Sequence, residues 1–317
     1  MKFAALLASS ALFLATMVSA QQAPAYELQR VSKCKMPGVV AYTFDDGPYL
    51  YNDQLLSILQ KKNVTATFYL VGQMVNKTLQ QQGSLKKMLE HGHQLASHTY
   101  THSNLDLMTE AEMKSEISRT SDVMFANSGV RPRYMRAPEG RCADACTKVM
   151  KELGLVISYW NVDTNDWRHV GEKTPALAVQ KSMEELNKVI VAESNPATDS
   201  FILLQHEIHQ FSVENLADVV IDAILKKGYR FVSMEECIGE PAYLEGSVLP
   251  TKSSTPVTPT ATSGLPSGST STSTSTSATG VQPTTAGGAN GQNGAGIKSA
   301  AGWTLFLTVA ALGLALF

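Results

Sequence analysis

The chain has 317 residues, 17% of them charged, with a formal net charge of −2. There is no basic excess to neutralise phosphates, which argues against a polyanion-binding protein. Only the two ends are apolar enough to concern a membrane, which excludes a multipass one. Apart from Lys2, Lys252 and Lys298, every charged residue falls in residues 21–245. That stretch is therefore about as charged as an ordinary globular domain, and its length suits one α/β domain with a full core.

Residues 1–20 run from Met1-Lys2 through an apolar segment to Val18-Ser19-Ala20. A basic start, an apolar core and a small-x-small site predict a secretory signal cleaved after Ala20. Residues 21–33 read as an N-terminal extension, and the predicted folded domain spans 34–240.

Within the domain, the apolar run Val39–Phe44 predicts a strand and the spacing of Asp53–Lys62 a helix. Val64–Val71 reads as a strand, Leu85–His91 as a helix and Gln94–Ser97 as extended. Thr109–Asn127 is a helix opened by a capping-box pattern, Thr109-Glu110-Ala111-Glu112. Tyr134–Ala137 is extended, Thr147–Leu153 helical and Leu155–Val162 a strand. Pro175–Ala192 is a helix with proline near its start, followed by a strand at Phe201–Gln205. A helix over Val213–Lys227 is closed by Gly228, and Arg230–Ser233 is the last strand. Strands alternating with helices predict a mostly parallel sheet covered by helices, and about seven repeats fit a barrel. In such folds the site lies at the C-terminal ends of the strands.

Beyond the domain, residues 241–293 are rich in Ser and Thr and read as an O-glycosylated stalk without a core. The last 15 residues, Trp303–Phe317, are apolar but short of a bilayer span. Small residues precede them at Asn293-Gly294-Ala295. Together these predict a glycosylphosphatidylinositol (GPI) signal, with residues 294–317 removed and lipid attached at Asn293; Gly288 and Asn290 are alternatives. Asn63 and Asn76 begin N-glycan acceptor sequons. The protein is thus expected outside the cell, on the outer face of the plasma membrane and in the wall. In that oxidising setting four cysteines favour disulfides over a thiolate metal site, with three pairings open. Cys142 and Cys146 suit a local staple, and Cys34 and Cys237 would tie the domain's two ends together.

Five polar clusters fall at predicted strand ends: Asp45-Asp46-Gly47-Pro48; His98 and His102; Arg136-Ala137-Pro138-Glu139-Gly140; Asp163 to Trp167; and Leu203-Leu204-Gln205-His206-Glu207. Each alone has an ordinary structural explanation, as a turn, cap, surface ion pair or core residue. Two histidines four apart on one helical turn would share a face and could grip one metal. With an aspartate they make a common open zinc set.

The series TFDDGP, H-x-x-x-H, R-x-P-x-G, D-x-x-D-W and L-x-H, in this order, resembles carbohydrate esterase family four, the polysaccharide deacetylases, over roughly residues 34–237. With its export signal, stalk and lipid signal, the chain resembles the lipid-anchored fungal chitin deacetylases within that family. The resemblance implies a distorted (β/α) barrel of about seven parallel strands. It implies metal-dependent hydrolysis of N-acetyl groups of chitin or chito-oligosaccharide, giving chitosan and acetate. Asp46, His98 and His102 would hold a divalent metal, Zn²⁺ by family pattern, with Co²⁺ an alternative. Asp45 would be the general base, oriented by Arg136, and His206 the general acid. Asp166, ahead of Asp163, would orient His206. A backbone N–H at Glu139 would meet the oxyanion, and Leu204 and Trp167 would wall the acetyl methyl. The family usually carries an aromatic where Glu139 stands, which leaves one sugar subsite open. Tyr49, Tyr51 and Trp160 are candidates for sugar stacking. His91, His93, His169 and His209 match no motif. The implied partner is the carbohydrate, with no nucleic acid, a membrane link through the lipid only, and a monomeric chain.

Other readings are the same chemistry on acetyl xylan or peptidoglycan, a glycosidase, and a non-catalytic wall-anchored binding protein. A glycosidase needs two carboxylates flanking one bond at about 5 Å or more, and neighbours such as Asp45 and Asp46 on a strand should face opposite ways.

Overall fold

The computed structural model describes residues 30–75, 77, 81 and 83–249. The signal peptide, most of the stalk, the sequon at Asn76 and the proposed lipid site at Asn293 lie outside these residues.

Eight strands form one all-parallel sheet. They are β1 (Val39–Asp45), β2 (Thr67–Leu70), β3 (Gln94–Ser97), β4 (Tyr134–Met135), β5 (Val156–Ile157), β6 (Val162–Asp163), β7 (Phe201–His206) and β8 (Arg230–Val232). Seven run in the order β5-β4-β3-β2-β1-β7-β6. The eighth, β8, pairs with β1 over Val39–Ala41, just before β1 takes up β2 at Thr43–Asp45. Among the described residues the seven α-helices are α1 (Asn52–Lys61), α2 (Ser84–Glu90), α3 (Glu110–Ser128), α4 (Asp144–Glu152), α5 (Pro175–Leu186), α6 (Ala217–Lys227) and α7 (Met234–Ile238).

β1 is buried along its whole length, as a central parallel strand must be. Its alternation sorts two layers. Val40, Tyr42 and Phe44 pack outward against Leu55, Leu56 and Leu59 of α1 and Val220, Ile221 and Ile224 of α6. Val39 and Ala41 face inward with Tyr69, Tyr134 and Ile202. The neighbouring β7 alternates in step, with Phe201 and Leu203 outward and Ile202 inward.

Register decides where the motifs meet. Asp45 lies opposite His206 on one side and Tyr69 on the other. Leu70 pairs with Ser97, Ser97 with Met135, and Asp163 with Leu204. All five polar clusters therefore emerge on the same, C-terminal edge.

The expected strand over Leu155–Val162 is divided into β5 and β6, the two ends of the strand order. Residues 158–161 cross the gap, so the curled sheet is joined there by chain rather than by a ladder. At the start of the β6 side, Asn161 is already tied to β7: its backbone N–H donates to Ile202 O, while its side chain accepts from Ile202 N–H and donates to Ser200 O. Ser158 keeps its N–H on Met135 O of β4 and also bridges to Val31. The helices expected over Pro175–Ala192 and Val213–Lys227 carry π-turns at Asn187–Ala192 and Ser212–Leu216. α7 was not expected, being too short for a periodic signal; Ser233 caps it by accepting from Glu236 N–H.

The domain also reaches past the boundary placed at 240. Arg133 N–H donates to Ala242 O, Leu244 N–H to Arg131 O and Val248 N–H to Gly129 O. The Tyr243 hydroxyl accepts from Leu95 N–H. Composition could not show this, because backbone pairing needs no particular side chains.

Both disulfides are present, Cys34–Cys237 and Cys142–Cys146, and they fit an oxidising compartment. Among the described residues no helix is long and apolar enough to cross a membrane.

Candidate active site and metal centre

The Asp45-Asp46 pair does not splay. Asp45 ends β1 in extended geometry, but Asp46 has φ 75°. That left-handed residue turns its carboxylate back to the same side, so Asp45 Oδ2 and Asp46 Oδ1 lie 3.7 and 3.4 Å from His98 Nε2. The expectation of opposite faces is therefore corrected. It held only for continued strand, and the chain leaves the strand at Asp46.

His98 and His102 are likewise not on a helical turn. Thr99 and His102 have φ of 66° and 60°, which no α-helix permits. The loop is held by Glu116 of α3, whose carboxylate accepts the N–H groups of Tyr100 and Thr101 at 2.9 and 2.7 Å. Thr99 Oγ1 accepts from His102 N–H. The two rings still come together, 4.9 Å apart by centroid.

Asp46 Oδ1 is 3.1 Å from His102 Nε2, and ligand atoms of Asp46, His98 and His102 all lie within 4.8 Å of one another. Donors about 2.0–2.2 Å from a tetrahedral zinc sit about 3.3 Å apart, close to these spacings. Asp46 Oδ1 is shielded from solvent yet accepts no well-formed hydrogen bond. His98 Nδ1 donates to the Arg136 carbonyl at 2.9 Å, which leaves the Nε2 lone pair for a metal. Burial alone would raise the pKa of Asp46, but the neighbouring imidazoles hold it well below the usual carboxylate range. The residues present thus fit a divalent cation.

Two buried pairs flank this centre. Arg136, fully buried, donates to Asp45 Oδ1 at 2.6 Å, to Thr43 Oγ1 and to the Ser158 and Tyr159 carbonyls. Its guanidinium lies over the Tyr69 ring at 4.1 Å. Opposite, Asp166 Oδ1 is 2.8 Å from His206 Nδ1. Asp166 Oδ2 accepts from His206 N–H and Ser212 Oγ. Asp163 instead accepts from Asn165 N–H. Burial works against the His206 cation, but Asp166 outweighs it and lifts the His206 pKa to about 9.

Asp45, Asp46, His98, His102 and His206 line one cavity of about 590 Å³ with Glu139, Trp160, Asp163, Trp167, Leu204, Ile208 and His209. Leu204 is buried at the base and Trp167 is 48% exposed. Glu139, also on the rim, has φ 55°. A second cavity of about 280 Å³, lined by Tyr49, Gln73 and Met74, shares Asp46, His102 and Ile208 with the first. Tyr51 lines neither; it packs on the core beside α1. Asn63 is exposed, as a glycan acceptor must be.

Ile208 and His209 were not anticipated, although they directly follow the L-x-H cluster. Glu207 stood in that cluster without an assigned role; its buried carboxyl has no hydrogen-bond partner and burial pushes its pKa far up. It lies against Gly47, where a Cβ would stand 1.4 Å from Glu207 Oε1. Only glycine fits there, a contact that no local pattern reveals.

The polysaccharide deacetylase family profile matches residues 32–158. A chitin deacetylase of Colletotrichum lindemuthianum is 34% identical over 214 residues, covering 66% of this chain and 83% of that protein. A peptidoglycan-N-acetylglucosamine deacetylase of Listeria monocytogenes is 33% identical over 215 residues, covering 68% of this chain but 42% of its own length. The solved structure of the chitin deacetylase from C. lindemuthianum matches with a TM-score of 0.64 at 30% identity, over 70% of this chain and 97% of that one. By its fold, its convergent site and these similarities, this chain belongs to the polysaccharide deacetylases of carbohydrate esterase family four.

Proposed function

We propose that this protein hydrolyses N-acetyl groups of chitin or chito-oligosaccharides, giving chitosan and acetate. The observation that carries this reading is one cavity in which Asp46, His98 and His102 converge between the Asp45–Arg136 and His206–Asp166 pairs. The similarity to a named chitin deacetylase favours chitin as the polymer.

Asp46, His98 and His102 would hold the cation, zinc by donor type, with cobalt an alternative. When bound, such an ion lowers the pKa of water towards about 7 and polarises the amide carbonyl. Asp45 acts as general base. Arg136 occupies its Oδ1, so Oδ2 is the oxygen that takes the proton of the attacking water. His206 acts as general acid. Asp166 holds Nδ1, leaving Nε2 to deliver a proton to the departing amine. The backbone N–H of Glu139 meets the developing oxyanion. Leu204 and Trp167 enclose the acetyl methyl.

Purified full-length protein should release acetate from chito-oligosaccharides, read by mass spectrometry of the sugars. Chelator should abolish release, and zinc or cobalt should restore it. Unchanged sugar masses with metal present would overturn the reading. The Listeria relative, nearly as similar, supports peptidoglycan as a second substrate, and acetate release compared side by side on the two polymers decides between them. We place the protein outside the cell, exported through residues 1–20 and held by lipid at Asn293 beyond a glycosylated stalk. Release from cells by phosphatidylinositol-specific phospholipase tests the anchor.

A further inference from the structure

The carboxylates of the cavity do not share one fate. Asp45 is taken by Arg136, and Asp46 belongs to the metal set. Asp166, just behind the wall, is saturated by His206 and Ser212, and Asp163 is turned onto Asn165 N–H. Glu139 differs. Its side chain is 64% exposed at the rim and meets only Arg141, at 2.8 Å. Arg141 is itself 59% exposed and does not line the cavity, and no lysine or arginine side chain does.

Its backbone adds a second observation. Glu139 has φ 55° and ψ 13°, a conformation that glycine adopts freely and residues with a Cβ rarely. A side chain kept at such a point of a cavity calls for a function. Trp160 packs over Gly140, where a Cβ would come within 3.2 Å of its ring. The indole and the carboxylate therefore share one rim, a flat apolar face beside a negative charge.

A fully acetylated chitin chain is neutral and offers this carboxylate no partner ion. Each hydrolysis, however, converts a neutral amide into an ammonium on the same chain. We propose, resting on the deacetylase reading, that Glu139 recognises the 2-ammonium of a glucosamine unit adjoining the N-acetylglucosamine under attack. The preferred substrate is then a partly deacetylated chain. Arg141 competes for the same carboxylate and moderates the preference. The interaction is an exposed ion pair, so it changes selectivity by a few-fold and is screened by salt.

The test uses full-length, metal-loaded protein. Two chito-oligosaccharides of equal length are compared, one fully acetylated and one carrying a single glucosamine beside the scissile unit. The readout is the ratio of their kcat/KM values for acetate release, which cancels any general effect of a substitution on the site. The ratio should favour the mixed oligomer in the wild type and fall about three- to fivefold in Glu139→Gln, the size expected for an exposed ion pair. It should rise in Arg141→Ala, and all three proteins should converge at about 1 M salt, where charges are screened within about 3 Å. Active proteins with one common ratio would overturn the inference while leaving the deacetylase reading intact. Acetate release from neither oligomer would overturn the deacetylase reading and this inference with it.

Discussion

At the scale of single residues, the site depends on side chains whose second atom is already committed. Asp45 gives one oxygen to Arg136 and His206 gives one nitrogen to Asp166. Asp45→Asn keeps the shape but removes the base, and should lower kcat about 10²–10⁴-fold while circular dichroism stays native. A kcat within threefold of wild type would remove Asp45 from the base role. His206 makes a second prediction, about stability. Its folded pKa of about 9 exceeds the unfolded value of about 6.5, so its contribution is complete below about pH 6.5. It is lost as pH rises through about 9. Urea unfolding of metal-free protein across that interval should show a steeper loss for wild type than for His206→Gln, and parallel curves would contradict the assignment.

At the scale of elements, local chemistry and long-range contact divide the work. The α3 N-terminus is a case where the local pattern suffices. Thr109 Oγ1 accepts from Glu112 N–H, and Glu112 Oε2 accepts from Thr109 N–H, as the Thr109-x-x-Glu112 spacing foretold. Thr109→Ala should destabilise the domain by about 1 kcal/mol without touching activity, measured as a shift in urea midpoint at constant m-value. The His98–His102 loop is the opposite case. Spacing suggested a helical turn, but Glu116, fourteen residues after His102, fixes it through two backbone N–H groups. The division of Leu155–Val162 into two strands belongs with it, since apolar content alone cannot distinguish one strand from two that pair on different neighbours.

At the scale of the whole molecule, the sheet remains open between β5 and β6, and a disulfide ties together the two ends of the domain's chain. Cys34–Cys237 joins residues 203 apart in sequence, the segment before β1 to α7, which contains Cys237. A loop of that length gives a chain-entropy stabilisation of up to about 5 kcal/mol. Replacing both cysteines with serine should lower the unfolding free energy by several kcal/mol in urea titration, and far more than removing Cys142–Cys146, whose loop is short. Equal losses would show that strain or residual structure, not loop length, governs the effect.

The fold class, most of the strands and helices and the five polar clusters, though not the split of β5 from β6 or the short α7, were legible from local pattern, because hydrophobic period, caps and turn residues act over a few neighbours. So were both cysteine pairs, from position alone. Only tertiary structure decided that Asp45 and Asp46 face one point and that Glu207 is sealed against Gly47. These depend on left-handed backbone turns and on the register of parallel strands far apart in the chain. Such features arise when strands pair and side chains are excluded from water, and no stretch of sequence encodes them by itself.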